Sequence, residues 1–488
     1  MAPAGQSSEG STKPQGRTVL WHLVTLAIFS AALFLPNLGR GFIHDDFVWL
    51  RDAAYQPFGY EFSHPVGGPF FSPLGLLTFR AGWALWGFQA FPYGAENLAL
   101  HIANSFLLYL LVFLLWRSVN AAWWAAFGFA LLFPANIWAV MWIATRSHLL
   151  ATMFYLAALC STIWFLRSER SRLLAGALTA MAAAASMLSK ESGVTLALAI
   201  PILIWYERPR GARPVSWPAI SLLIMGLGGV AVAYLIIRSQ SGSMPVVSSN
   251  HPWYQYAFSV FVFVENLLRY SWRTYGLQIL LAGGLALAVR LHGSRPRLEG
   301  VSRREVVLSV LLFLAALAPV SLLRGRSGIY SYLPAIGASL LFGAVARSLQ
   351  ASHQPGSWRW RPATPFLALA LIGCGFTVGQ SMKWRHAAET NGAVLRQISA
   401  QVPNPPARAF FALRYADADP IWRFPDGFAT WGFSPALQLH YSDPTLTGMI
   451  APAGLPLPNG AAPDAEFFYQ SSSAGPQVLE VASGAPRE

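Results

Sequence analysis

Long apolar stretches with almost no charge recur along this chain, and nothing constrains its fold more. They occupy residues 19–35, 98–116, 121–133 (extended past Pro134), 148–166, 173–188 and 194–206. Further ones occupy 220–237, 275–291, 306–323, 332–346 and 365–381. A helix needs about 20 mostly apolar residues to cross the hydrocarbon of a bilayer. In lipid, every backbone N–H and C=O must find its partner within the segment, so such stretches are helices. The pattern predicts roughly eleven spans, with 257–268 read as a further re-entrant or interfacial candidate. Composition agrees. The 488 residues are 54% hydrophobic and 11% charged, where soluble domains carry about a quarter charged residues. The expected class is an all-α polytopic membrane protein.

The formal charge of +13 suggests nucleic acid only until the basic residues are located. They cluster between spans: Arg117, then Arg167, Arg170 and Arg172, then Arg208, Arg210 and Arg213. Arg295, Arg297, Arg303 and Arg304 follow, then Arg347, Arg359 and Arg361. All of these runs share one side if the N-terminus is cytoplasmic, which is the asymmetry that orients membrane proteins. Cys160 and Cys374 both lie in apolar runs, so no disulfide framework or zinc cluster is encoded. Residues 1–17 read as a disordered cytoplasmic N-terminus. The first apolar run ends in Leu35-Pro36-Asn37, without a small-residue cleavage pattern, and reads as an uncleaved span.

The spans define the remaining organisation: a membrane domain over 18–382, a long first external loop over 36–97, and an external domain over 383–488. In the loop, Ser72 is placed to cap a helix with Pro73 at its first position, its apolar face resting on the outer leaflet. In the tail, "MKWRHAAETNGAVLRQISAQV" reads as a helix, and "ARAFFALRY", "ALQLHY" and "QVLEVA" as strands. That is a small α/β domain, expected to cover a cavity mouth or help hold an acceptor.

Polar residues collect at the external ends of the spans. Asp45 and Asp46 follow the first one in "GFIHDDFVWL". One reading is a catalytic carboxylate at the membrane–water boundary; the other is helix capping, which suits Asp46 before "FVWLRDA". Glu96, Asn97, His101 and Asn104 open the second span, and His101 by itself reads best as a hydrogen-bonded core histidine. Arg146 and His148 open the fourth span, and Lys190 and Glu191 close the fifth. Snorkelling to headgroups is the plain account of Arg146, and a mutual ion pair that of Lys190 and Glu191. Arg324, Arg326, Tyr330 and Tyr332 lie between the ninth and tenth spans. That external loop is too basic for its side, and an anionic ligand would explain it. Together these groups outline an outward cavity, with acids on one wall and donors suited to a phosphate on another.

The segments "HDDF", "FSPLGLLTFR", "PYGAENLALHIAN", "LLFPANIWAVMWIATRSHLLATMFYLAAL", "MLSKESGV" and "RSGIYSYLPAIG" occur in that order. Their order and spacing resemble the polytopic GT-C glycosyltransferases. The similarity is to the protein O-mannosyltransferase-like and transmembrane-and-tetratricopeptide-repeat mannosyltransferase branches, from residue 42 to about 349. The resemblance implies a lipid-phosphate-linked sugar as donor and an acid of the first external loop as catalytic base. That makes Asp45 or Asp46 the base, with Asp45, first in the doublet, favoured. It puts Arg146, Lys190, Arg324, Arg326, Tyr330 and Tyr332 near the donor phosphate, with Asn97, His101, His148 and Glu191 as polar cavity residues. Two departures stand out. Ser72-Pro73-Leu74 replaces the family's Arg-Pro-Leu, and the repeats are missing, with the short α/β tail in their place.

The expected reaction is direct displacement with inversion. A carboxylate takes the acceptor's proton, and cationic donors meet the departing phosphate. No cofactor is required; a divalent cation on Asp45 and Asp46 is the one metal the residue types allow. The expected partners are a lipid-phosphate sugar and the hydroxyl of a protein, lipid or glycan, with no nucleic acid. The expected location is a bacterial inner membrane, with the site on its outer side. The rivals are a transporter or flippase of a lipid-linked or anionic substrate, and a non-catalytic relative of the enzymes.

Overall fold

A computed structural model describes residues 13–67, 70–130, 135–208, 215–243, 255–291, 295–351, 364–415, 428–454, 457, 462–472 and 475–483. The first helices are α1 (Lys13–Phe34), α2 (Asp45–Tyr55), α3 (Tyr60–Ser63), α4 (Pro73–Trp86) and α5 (Ala90–Trp116). Next come α6 (Val119–Ala130), α7 (Ala135–Met141), α8 (Arg146–Arg167), α9 (Arg172–Ser189), α10 (Leu196–Glu207) and α11 (Trp217–Gln240). Then follow α12 (Val260–Leu291), α13 (Arg303–Leu317), α14 (Ala335–Ala351) and α15 (Thr364–Gln401). The chain closes with β1 (Phe410–Tyr415), α16 (Ala429–Tyr441), β2 (Thr447–Pro452), β3 (Ala465–Ser472) and β4 (Gly475–Ser483).

The chain is an integral, multi-pass membrane protein. Among the described residues, each apolar stretch predicted from sequence falls for the most part on a helix. Among the described residues, six helices are long and apolar enough to cross a membrane, or seven with α6 and α7 as one bent span. The shorter α10, α13 and α14 and the first part of α15 pack among or beside them. The stretch at 257–268 is not a separate re-entrant helix: from Val260 onward it is the start of α12, whose 32 residues extend ~48 Å at ~1.5 Å per residue. Residues 1–12 of the N-terminus expected to be disordered over 1–17 lie outside the described residues, and 13–17 are already part of α1. Arg210, Arg213, Arg359 and Arg361 also lie outside them.

The two ends of the bundle differ in chemistry. At one end Arg167 pairs with Glu207 at 2.7 Å and Arg347 with Glu305 at 3.0 Å, while Trp116 donates to Tyr206 Oη at 2.8 Å. These residues end or begin α5, α8, α10, α13 and α14. The opposite end gathers the start of α8, the end of α9, the end of α11 and the start of α12. The Asp45–Asp46 doublet sits there too.

The C-terminal part carries a four-stranded sheet in the order β2-β1-β3-β4. Strand β1 runs parallel to both β2 and β3, and β4 pairs antiparallel with β3. Helix α15 carries the sheet. Its 38 residues reach ~57 Å, well beyond an apolar layer of ~30 Å, and its far half packs on β4 and α16. The predicted strand "ALQLHY" is helix α16 instead. Its last residues alternate like a strand, but Phe433, Ala436 and Leu437 are all fully buried, and that i, i+3, i+4 stripe is helical. Strands β2 and β3 went unpredicted.

If the basic end is cytoplasmic, as charge asymmetry implies, cysteines placed at Ser63 and Ser399 in a cysteine-free background will react with an impermeant reagent in intact cells. One placed at Glu299 will react only after lysis. Protection of Ser63 or Ser399 would reverse the orientation.

Candidate active site

Helix α2 begins at the first acid of the doublet, and the two carboxylates point to different environments. Asp46 is buried. Its Oδ2 accepts from Ile43 N at 3.0 Å and its Oδ1 from Ala144 N at 2.7 Å. The side chain therefore fastens the loop ahead of α2 to the turn ahead of α8. Its pKa is pushed up to about 8, burial outweighing the two N–H groups, with Asp45 adding to the rise and Arg146 opposing it. The expected helix cap is not what forms: His44, not Asp46, occupies the cap position, and no side chain caps the helix.

Asp45 is half-buried. Its Oδ1 accepts from Trp431 Nε1 at 2.5 Å, a donor 386 residues away on α16. Among the described residues its Oδ2 accepts no protein hydrogen bond. Burial pushes its pKa up to about 6, with the Trp431 N–H and the charge of Lys190 pulling the other way. That value suits a base working near neutrality.

The backbone around the doublet is tightly held. His44 adopts φ 48°, a region that non-glycine residues rarely enter and that persists only under strong surrounding constraint. The constraint is visible. Asn391 of α15 donates to Phe42 O at 3.0 Å, and the His44 ring lies 6.4 Å from that of Trp142 and 6.5 Å from that of Trp431.

Facing Asp45 is the junction of α9 and α10. Lys190 is buried, 3.3 Å from Glu191 Oε1 and 3.5 Å from the Phe70 ring centroid. Burial depresses its pKa, and Glu191 partly restores it. Glu191 feels burial in the opposite sense, but Lys190 and Arg238 together hold its pKa below the usual carboxylate range. Arg238, at the end of α11, also donates to Ser243 O at 3.3 Å. His148 lies within electrostatic reach of Lys190 and Glu191, 6.2 Å from the ring of Tyr330. Arg324 is exposed near the same end.

Several expected site residues are committed elsewhere. Arg146 is buried and pairs with Glu96 at 2.5 Å, while donating to Asn97 Oδ1 at 3.1 Å and Tyr93 O at 3.0 Å. Its guanidinium also stacks on Phe79, 4.6 Å from the ring centroid. It neither snorkels nor presents a face to a phosphate; it locks α8 to α5 and α4. Asn97 completes that lock through Trp142 O at 3.1 Å and is not a cavity group. Tyr332 is fully buried, its hydroxyl bonded to His101 Nδ1 at 2.8 Å and Asn104 Nδ2 at 3.2 Å. This is a core polar cluster, as His101 by itself suggested, so Tyr332 leaves the phosphate set and His101 leaves the cavity. Arg326 is held by Glu265 and by Asn266 Oδ1 on α12. Ser72 sits at the cap position of α4, but its hydroxyl donates to Ser189 O at 2.5 Å.

Sequence reasoning missed Trp431 and Arg238. Arg238 carried a signal: like Arg324, it is a basic residue at the expected external end of a span. Trp431 carried none. A shared cation fits poorly on the doublet, because both Asp46 oxygens already accept backbone N–H groups. Among the described residues no group of three or more His, Cys, Asp or Glu side chains is placed to hold a metal.

No protein-family model matches the chain, and no curated protein sequence does. Solved structures do match. ArnT from Cupriavidus metallidurans bound to undecaprenyl phosphate aligns with a TM-score of 0.54 and 14% identity, over 97% of this chain and 100% of that one. Its apo state gives 0.51 and 14%, over 90% and 86%. The apo oligosaccharyltransferase of Archaeoglobus fulgidus gives 0.52 and 12%, over 91% of this chain and 65% of that one. The chain thus spans about two-thirds of the archaeal enzyme's length. The shared feature is the fold, a bundle of membrane helices followed by a small C-terminal domain with a sheet.

The geometry separates the two acids experimentally. Asp46→Asn turns one acceptor into an N–H₂ group facing a backbone N–H, leaving a buried donor unpaired at a cost of about 1–3 kcal/mol. Its Tm in detergent will fall clearly below that of the parent, whereas Asp45→Asn will unfold near the parental temperature. Equal Tm values for both variants would contradict the assignment.

Proposed function

We propose that this protein transfers a sugar from a polyprenyl-phosphate donor to an acceptor hydroxyl at the outer face of the membrane, with Asp45 as general base. One observation carries the reading. Asp45 is a half-buried carboxylate with one oxygen held by Trp431 and the other without a protein partner among the described residues, in reach of the buried Lys190. The fold likeness to a protein solved with undecaprenyl phosphate and the ordered motifs of the O-mannosyltransferase-like branch support it.

In this mechanism Asp45 Oδ2 accepts the acceptor's hydroxyl proton as that oxygen attacks the anomeric carbon. The bond from that carbon to the phosphate oxygen breaks with its electron pair, and the lipid phosphate departs. Lys190 and Arg238, with Arg324 at the rim, stabilise the leaving charge. Attack from the face opposite the phosphate inverts the anomeric centre. A retaining route would need a second, nucleophilic carboxylate about 5 Å across the site. Asp46 does not serve, because both its oxygens are committed, and Glu191 is paired with Lys190. No metal has a part in this scheme. On this reading the Ala-, Arg- and Trp-rich composition supports a bacterial inner membrane as the enzyme's location.

Purified protein supplied with labelled polyprenyl-phosphate hexoses and pentoses, in the presence of cell-envelope acceptors, will transfer label with time. A transporter or a non-catalytic relative will not. Asp45→Asn will lower the rate by about 10²–10⁴ at unchanged insertion. Parental kcat/KM will fall as pH drops through about 6, where Asp45 takes up its proton. Lys190→Ala and Arg238→Ala will each reduce efficiency with the donor by about one to two powers of ten, from the loss of a charge-assisted contact worth about 1.5–3 kcal/mol. Turnover by Asp45→Asn at the parental rate would overturn the reading.

A further inference from the structure

Trp431 is an unusual neighbour for a reactive carboxylate. It is 57% exposed, so burial of its ring explains little of its placement. What the placement gives is one hydrogen bond, from Nε1 to Asp45 Oδ1 at 2.5 Å. The helix that carries it is firmly seated. Phe428, just ahead of α16, is fully buried with its ring 5.4 Å from Phe47 of α2. Tyr55 donates to Gln438 O at 3.1 Å. Gly432 lies so close to His44 that an added Cβ would stand 2.9 Å from His44 O. The external domain thus docks on the same short helix that begins with Asp45.

We propose that Trp431 is a positioning residue for Asp45: its indole N–H fixes one carboxylate oxygen, turns the other toward the acceptor, and favours the ionised form. This rests on the reading of Asp45 as the base, and it makes the external domain part of the catalytic apparatus. The other charged and titratable groups around Asp45 are Asp46 and His44 on its own segment, and Lys190 at the junction of α9 and α10. Arg146 lies behind Asp46, on α8. None of them replaces a donor on Oδ1.

The test measures Asp45 protonation separately from turnover. A carbodiimide labels protonated carboxyls, so Asp45 labelling against pH in the intact protein in detergent, read by peptide mass spectrometry, gives a midpoint. Trp431→Phe keeps the ring and removes the N–H. It is expected to move that midpoint to higher pH, to shift the acid limb of the rate profile the same way, and to lower kcat about 10- to 100-fold with donor KM held. Gly432→Val, which pushes the end of α16 off His44 and leaves Trp431 intact, is expected to shift the midpoint in the same direction. An unmoved midpoint in Trp431→Phe would overturn the proposal even while Asp45→Asn remained inactive. Full turnover by Asp45→Asn would instead remove the base itself.

Discussion

The buried carboxylate of Asp46 holds this end of the molecule together. It accepts one N–H from the loop before α2 and one from the turn before α8, segments about a hundred residues apart in the chain. A buried N–H without a partner is costly, so the two segments are tied at one point. The adjacent Arg146 repeats the device with Glu96, Asn97 and the Tyr93 carbonyl. With α2 fixed between these anchors, Asp45 has little freedom about where it points. The strained His44 backbone is affordable in that setting and not outside it.

Ionisable groups near hydrocarbon are expensive and are retained where they pair or face water. Both solutions occur here, and the difference separates framework from candidate site. Arg146, Arg326 and Tyr332 are closed off by protein partners. Asp45, Lys190, Glu191 and Arg238 form a looser chain of charges in which one carboxylate oxygen stays open. Such partly satisfied groups are where perturbed protonation and chemistry coincide.

The C-terminal domain follows from a length argument. Helix α15 is too long for the bilayer, so its polar half leaves the membrane and carries the sheet with it. On the way it supplies Asn391 to the loop of the doublet, and the crossover helix between β1 and β2 returns to α2 with Trp431. The C-terminal domain thereby reaches the candidate base directly.

The sequence by itself determined the helical, membrane-spanning class and the order of the apolar helices, though not their number. It predicts roughly eleven spans, and six helices, or seven with the bent pair, are long and apolar enough among the described residues. It also determined the acidic doublet and the lysine facing it. Hydrophobic length and charge asymmetry are local properties, and the bilayer acts on them locally. Strands β2 and β3 and the nature of α16 were not legible, because short amphipathic segments take their form from the partners they bury against. Nor was the division of labour between adjacent residues. Asp45 and Asp46 are chemically identical, and only the position of Ala144 and Trp431, brought in from distant parts of the chain, makes the second a fastener and leaves the first with one oxygen open. The same holds for the arginines. Arg146 and Arg324 both read as external cations, and tertiary packing alone decided that the first is enclosed by Glu96 while the second is exposed.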